Sequence, residues 1–547
     1  VEPYCLKNGQ QLASDYRQDY AAVQELYVYN PWEAESGTAR AAWLDQHKPP
    51  RADRNGLIDA LLAFNRKAGN AQVALDRIAQ LRDPQSLVVV GGQQAGLFTG
   101  ALLVIYKAVT ILHAAKAAEE QLGRPVIPVF WIAGEDHDWD EVNHVTLLNV
   151  QQELTRITLN RTGADERRTS VSRIPVRDWE TVISQLDATL LDTEFKADIM
   201  GRLKQFADQS ATLTDFFAQM MAWLFGQQGL VLLDSDDQAL RKLEGPMFER
   251  LVTERDTLTS AYLQAKAKVE QLGYAAQAEV SEQGINLFIY NTNEERTLLY
   301  RSENGEFTDR KGNWRFCEEE LLERATHHPE ELSNNVLTRP LMQEYLLPVL
   351  HTVLGPGELS YWGLLKPAFA ALGMQMPILL PRKSYTLIEG TVAKHMRKYE
   401  LSFDDVLHRF TQAKENWLRD QDHLGLMALF NDTKEKFRQL YEPVVQSVST
   451  VNPGMAKLAN VNMMKILEQM EFLEARSTDA YRSQFDAAVR QWDRIALSLA
   501  PQGKLQERTY SVLAYLGKYG DHWLQELLAT PSADWGSHQL VYLSQHN

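Results

Sequence analysis

Five of the seven residues from Glu135 to Glu141 are carboxylic acids: Glu135, Asp136, Asp138, Asp140 and Glu141. His137 stands among them, and Asn143 and His144 follow. Carboxylates crowded this closely repel one another, so the segment needs a cation, a substrate amine or full solvation. One chemistry open to it is general base catalysis on an amine, by His137 or by a carboxylate of raised pKa. Another is Mg²⁺ held through one or two carboxylates. A solvated loop capping a helix N-terminus is the plain alternative, since Asp and Glu favour that position. A second segment upstream runs Gly91-Gly92-Gln93-Gln94-Ala95-Gly96-Leu97-Phe98-Thr99-Gly100. Gly91 and Gly96 have the outer spacing of a phosphate-binding P-loop, but Leu97-Phe98 stands where Lys-Ser/Thr should follow. The dinucleotide fingerprint G-x-G-x-x-G is not met either. Small residues still let a ligand approach the backbone, and a helix N-terminus behind them favours an anion. Gln93, Gln94 and Thr99 add hydrogen-bonding groups; a tight turn packed on its glycines is equally open.

Both segments end apolar runs. Leu87-Val88-Val89-Val90 and Val126 to Ala133 read as buried strands of a parallel sheet. Between them Ala101 to Gln121 reads as a helix closed by Gly123 and Pro125. Strand, helix and strand make one right-handed crossover, and ligands of such sheets bind outside the carboxyl ends of the strands. A third buried strand, Gly229 to Leu233, leads into Asp234-Ser235-Asp236-Asp237. Leu346 to Leu354 leads into Gly355-Pro356-Gly357-Glu358, and Met376 to Leu380 into Pro381-Arg382-Lys383-Ser384. Arg382 and Lys383 would be the natural binders of phosphate or carboxylate there. Lys107 lies in a helix apolar nearly all round, where it either snorkels to solvent or meets an anion; snorkelling is the expectation.

Residues 1 to 86 read as mostly helical, with Trp32, Leu44, Leu61 and Phe64 as core candidates. Residues 150 to 180 alternate in the strand manner, 181 to 227 return to helix, and 283 to 316 read as a small antiparallel piece beside the main sheet. Loop-rich sequence follows at Ser333 to Pro340. After Tyr385 the pattern is helical with few strand signals. There Phe437, Tyr441, Val444, Val448, Val451, Met455 and Leu458 alternate by four and three, an a/d seam that serves intramolecular packing or dimerisation. Asn452-Pro453-Gly454 predicts a kink or a break in it.

A chain of 547 residues suggests three or so units of ~100–200 residues. With 44% hydrophobic and 23% charged residues it has the composition of a soluble globular protein. A net charge of -16 disfavours nonspecific binding to nucleic acid. Cys5 and Cys317 make neither a disulfide framework nor a metal site, which points to a reducing, cytoplasmic setting. The longest apolar stretch, Ala101 to Ala115, is broken by Lys107 and His113 and is too short for a bilayer.

The two opening segments, with Ser333-Asn334-Asn335-Val336, Thr338-Arg339-Pro340, Gly355-Pro356-Gly357-Glu358, Tyr361-Trp362 and Pro381-Arg382, resemble the bacillithiol biosynthesis cysteine-adding enzyme family over essentially the whole chain. The resemblance implies an α/β fold: a Rossmann-like parallel-sheet core at 1–385, with two connecting insertions at about 150–227 and 235–332. It implies a helical coiled-coil domain at 386–547 that mediates homodimerisation. The activity implied is amide formation between cysteine and glucosaminyl malate, the last step of bacillithiol synthesis. Glu135, Asp136, His137 and Asp138 would be catalytic. Gln93, Gln94, Gly96, Thr99, Gly100, Asn143, Arg339, Glu358, Tyr361 and Arg382 would hold substrate. Ser384, Arg508, Tyr510 and Tyr519 would hold an adenine nucleotide, ATP or ADP, with Mg²⁺ left open and no residue assigned to a metal. A nucleotidyltransferase-like enzyme acting on another carboxylate or sugar, and a non-catalytic coiled-coil scaffold, are the competing readings.

Overall fold

The computed structural model describes residues 2–6, 9–161, 167–312, 314–421, 425–530 and 534–543. The chain forms two compact units rather than three. One runs to Thr386 and is joined by Glu507–Val541; the other is Leu387–Gln506 with Tyr542 and Leu543. The main stretch of the second unit is therefore inserted in the chain of the first, which resumes with Glu507–Val541.

The core is a five-stranded sheet of β1 (Leu87–Gln93), β2 (Val126–Ile132), β3 (Val231–Asp234), β4 (Val349–Leu354) and β5 (Ile378–Pro381). The order is β5-β4-β1-β2-β3, and every pair is parallel. Leu87 to Val90 and all of β2 are buried, which is why these strands are continuously apolar rather than alternating. Helix α1 (Leu102–Leu122) makes the crossover from β1 to β2 and ends on Gly123 in the left-handed region, φ 64°. The chain adds β2 and β3 on one side of β1, then β4 and β5 on the other. The direction of growth thus reverses between β1 and β4, and such a reversal opens a crevice at the carboxyl ends. Gly92 lets β1 lie close to β2: a Cβ there would stand 2.6 Å from the Trp131 carbonyl oxygen.

The first insertion, between β2 and β3, begins with a hairpin of His144–Leu148 and Leu154–Thr158 in the register Val145↔Ile157, followed by helices. The second, between β3 and β4, carries helices Gln238–Thr253 and Arg255–Gln271 and then an antiparallel sheet. That sheet holds the 283–316 strands and one strand more, Leu332–Asn334, paired with Leu287–Ile289. The loop expected at Ser333-Asn334 is thus partly an edge strand, too short and too polar to show alternation. Two further strands, Ser384–Glu389 and His538–Leu543, interrupt a region expected to be helical. Tyr4 of an N-terminal strand pairs opposite His538. The N-terminal helices bury Leu44, Leu61 and Phe64, whereas Trp32 is 40% exposed.

In the second unit, helices Leu426–Val451 and Pro453–Ser483 fold back on one another. Tyr441 Oη donates to Asn462 Oδ1 at 2.6 Å, and Lys434 pairs with Glu474 at 2.7 Å. The break falls at Asn452, and Pro453 opens the second helix, where its missing N–H costs nothing. Several seam residues stay exposed: Val444, Val451, Met455 and Leu458, with Leu440 beside them. Trp492 is buried against Tyr399, Phe410 and Trp417. Among the described residues no helix is long and apolar enough to cross a membrane.

Candidate functional site

A cavity of about 710 Å³ opens at the carboxyl ends of the sheet, over the reversal between β1 and β4. Its walls come from both loops singled out above, from the antiparallel sheet of the second insertion, and from the loops after β4 and β5.

Lys107 is the hinge of this arrangement. Its Nζ donates to the Gly92 carbonyl at 2.6 Å, to Gln93 Oε1 at 3.1 Å and to Glu358 Oε2 at 2.6 Å. It is 1% exposed, so the expected snorkelling does not occur. The helix presents it to the crevice, where Glu358 supplies the anion. Burial lowers the Lys107 pKa, and Glu358 opposes that shift. Glu358 also accepts the Gly355 N–H at 2.7 Å, which fixes its carboxylate at the start of the Pro356–Trp362 helix.

The acidic loop divides into three roles. Glu135 is buried and pairs with Arg241, which also holds Glu244 at 2.7 Å. Burial pushes Glu244 up to about 8, against the pull of Arg241. Glu135 thus anchors the loop through an ion pair. Gly134 makes room for this packing, because a Cβ there would collide with Ser172 Oγ and Asp234 Oδ1. Asp136 and Glu141 face the cavity together. Gln94 Nε2 donates to Asp136 Oδ2 at 3.0 Å and to Glu141 Oε2 at 2.9 Å, while Gln93 Nε2 holds Gln94 Oε1 at 3.0 Å. Burial, then Asp136 and Asp138, raise the Glu141 pKa; the bond from Gln94 lowers it. His137 has arginines at both ring nitrogens, Arg168 at Nε2 and Arg296 at Nδ1, the latter at 3.1 Å. Burial and then these two cations bring its pKa down to about 4. An imidazole shifted this way is unprotonated at pH 7, and a carboxylate of raised pKa is the other base the sequence left open.

The cationic side is made by Arg296, Arg339, Arg382 and Arg508. Arg296 lies 3.9 Å from the centroid of the Phe288 ring and donates from Nε to Ser333 Oγ at 2.8 Å. Arg339 donates to Gln343 Oε1 at 3.1 Å and to Tyr361 Oη at 3.0 Å. Arg382 is committed elsewhere: Glu507 takes it through two bonds of 2.9 and 2.7 Å. That pair weakens the expectation that Arg382 binds a substrate anion. Lys383 is buried beside His113 Nδ1 at 3.3 Å and over the Trp535 ring, outside the cavity wall.

The structure brings Gln93, Gln94, Glu135, Asp136, His137, Arg339, Glu358, Tyr361, Arg382 and Arg508 to the cavity. It does not bring Gly96, Thr99, Gly100, Asp138, Asn143, Ser384, Tyr510 or Tyr519 there. Gly96 packs on Gly100, where a Cβ would sit 2.9 Å from the Gly100 Cα. The first amide of α1, at Leu102, donates to the Tyr510 carbonyl at 2.8 Å. Ser384 Oγ is bonded to His538 Nδ1 at 2.7 Å, and Tyr510 is buried. Of the four residues expected to hold a nucleotide, only Arg508 reaches the cavity. Among the described residues no group of three or more His, Cys, Asp or Glu side chains is placed to hold a metal ion.

Sequence reasoning missed Arg296 and Arg168, which no local motif marks, and gave no site role to Asn334, although Ser333-Asn334-Asn335-Val336 was among the segments that carry the resemblance. Glu141 belonged to the acidic cluster, but its link to Gln94 is visible only in three dimensions.

Residues 1–383 match the family model described as the bacillithiol biosynthesis BshC N-terminal Rossmann-like domain. Residues 385–543 match that of the BshC C-terminal coiled-coil domain. A protein named "Putative cysteine ligase BshC" from Symbiobacterium thermophilum is 36% identical, over 96% of this chain and 97% of its own length. Proteins of the same name from Geobacillus kaustophilus and Halalkalibacterium halodurans are each 35% identical. They cover 97% and 99% of this chain, and 98% and 100% of their own lengths.

Proposed function

The chain belongs to the bacillithiol biosynthesis BshC family, and from that premise we propose that it is a ligase joining cysteine to the amine of glucosaminyl malate. The observation that carries this reading is the paired carboxylates of Asp136 and Glu141, clamped by one Gln94 amide and facing Arg296 and Arg339 across a single cavity. An amine reaches the site as an ammonium ion and attacks only after losing a proton. The two carboxylates draw the cation in, and Glu141, its pKa raised by burial and by its acidic neighbours, accepts the proton. Arg339 spends two of its N–H groups on Gln343 and Tyr361, and a guanidinium has five. It stabilises the oxygen that gains negative charge as the cysteine carboxyl is attacked. His137, held neutral, is a wall and a spacer between Arg168 and Arg296 rather than the base.

A free carboxylate does not condense with an amine unaided, so the reaction needs carboxyl activation, for which we propose ATP as co-substrate. Of Ser384, Arg508, Tyr510 and Tyr519 only Arg508 lines this cavity, and no step is assigned to a nucleotide held by them. Mg²⁺, if required, would be carried in on phosphate oxygens with one or two carboxylates, in keeping with its preference for retained water. The exposed apolar residues of the helical arm support a homodimer in which a second copy covers them. Two free, exposed cysteines favour a reducing, cytoplasmic setting.

The test is a mass-spectrometric assay of the purified protein with glucosaminyl malate, cysteine, ATP and Mg²⁺, and with each omitted in turn. Bacillithiol that vanishes when ATP is left out supports the ligase, and AMP or ADP as co-product assigns the activation route. Absence of product with every component present refutes the proposed reaction.

A further inference from the structure

Two neighbouring asparagines in the cavity region behave differently. Asn335 is spent on architecture: its Oδ1 accepts the Leu337 and Thr338 amides at 2.8 and 3.1 Å, and its Nδ2 donates to Asn286 Oδ1 at 2.9 Å. Asn334 is 2% exposed and lines the cavity, yet neither its Nδ2 nor its Oδ1 has a partner among the described residues. Its backbone is fixed on both sides, the N–H on Glu135 Oε2 at 3.4 Å and the carbonyl accepting from Arg296. A buried carboxamide with both ends unmatched by the protein is left for water or a ligand in the cavity to match. Trp131 Nε1, also buried, unpartnered and on the cavity wall, adds a second unmatched donor.

We infer that Asn334 is a specificity-determining residue that receives the sugar hydroxyls of the substrate. The inference rests on the substrate reading above. A carboxamide offers a donor and an acceptor side by side, and its best match is a neutral group that offers both in return. Carboxylates of malate or cysteine would set lone pairs against Oδ1, and an ammonium would set donors against Nδ2. Of the neutral two-sided groups on the two proposed substrates, the ring hydroxyls are the strong hydrogen-bonders and the cysteine thiol a weak one. Asn334 thereby places the sugar between the Glu135 anchor and Arg296.

The experiment is calorimetric titration of the full-length protein with glucosaminyl malate and, separately, with malate, comparing wild type with Asn334→Leu and Asn334→Ala. Thermal unfolding without ligand is recorded alongside. Both variants should bind glucosaminyl malate about 10–100-fold more weakly, as the loss of one or two hydrogen bonds requires. Malate affinity should not change. The unliganded melting temperature of Asn334→Leu should equal or exceed that of wild type, because the substitution removes two unmatched polar atoms. Equal weakening toward malate, unchanged affinity for glucosaminyl malate, or a loss confined to the bulkier Leu variant would each overturn the role of Asn334. Wild type that does not bind glucosaminyl malate would instead overturn the substrate reading, and this inference with it.

Discussion

Lys107 Nζ and Glu358 Oε2 lie 2.6 Å apart, and through them the loops after β1 and β4 are joined across the point where the sheet reverses its growth. The lysine also holds the Gly92 carbonyl and Gln93, so one buried cation sets the spacing of the cavity's near wall. Lys107→Met should destabilise the protein by about 3 kcal/mol, the low end for a broken buried pair. The low end applies because the Glu358 side chain keeps 27% exposure to water. Adding Glu358→Gln to Lys107→Met should recover part of that loss. Denaturant unfolding of the two single variants and the double variant reads the coupling, and strict additivity would show that the pair contributes nothing.

The Gln94 clamp makes a prediction about pH. Below the raised pKa of Glu141 the carboxyl is protonated and cannot accept the amine proton, so kcat/KM should fall on the acid side. Gln94 donates to the charged form and lowers that pKa. Gln94→Leu should therefore move the acid limb of the kcat/KM profile to higher pH. Glu141→Gln should lower turnover by about 10²–10⁴-fold with the fold intact by circular dichroism. A profile unmoved by Gln94→Leu would remove Glu141 from the role of base.

His137 gives a prediction about stability with a definite sign. Its pKa is about 4 when folded, against an ordinary 6.5. As pH falls from about 6.5 to about 4 the unfolded chain takes up this proton before the folded one, and stability is lost in that window. His137→Gln lacks the term. The melting temperature of the variant minus that of wild type should become more positive between pH 7 and pH 4.5. Other shifted groups are common to both proteins and cancel in the difference. Parallel curves would mean that His137 is not held neutral by burial and by Arg296 and Arg168.

Gly134→Ala tests the packing behind the acidic loop. The added methyl would run into Ser172 Oγ and Asp234 Oδ1. Overpacking of this kind costs about 1–3 kcal/mol, measurable by urea unfolding. A variant as stable as wild type would show that the loop moves freely there.

The helical arm carries the prediction about assembly. Leu440 is 75% exposed and Leu458 60% exposed. Leu440→Glu with Leu458→Glu should halve the mass measured by light scattering. Wild type that is monomeric at every concentration, or a variant that keeps the wild-type mass, would refute the homodimer.

Much of this was legible in the chain. Continuous runs such as Leu87 to Val90 announce strands buried on both faces, and the polar residues that close them mark where a parallel sheet binds ligands. Asp136 and Gln94 were found that way. Lys107 was misjudged because its own helix says only that it is surrounded by apolar neighbours; its anion lies 251 residues away. Arg296 was invisible for the same reason, and Asn334, though part of the Ser333 to Val336 segment, had no assigned role. The antiparallel sheet that carries them has the pattern of any small sheet, and only its placement over the cavity gives its residues a role. The glycine loop divides: Gly92, Gln93 and Gln94 line the cavity, whereas Gly96 packs against Gly100 and the Tyr510 carbonyl takes the Leu102 amide behind it.

The insertion of the second unit between Thr386 and Glu507 has a consequence for synthesis on the ribosome. Glu507, which neutralises buried Arg382, and Tyr510, which caps α1, are made only after the whole helical arm. A nascent core lacking them holds a buried guanidinium without its counter-charge and a helix start without its acceptor. At ordinary translation speeds that state lasts roughly 10 s or more. The enzyme's final fold is thus sealed from the carboxyl terminus, and a chain cut short within the arm leaves its longest-made part unfinished.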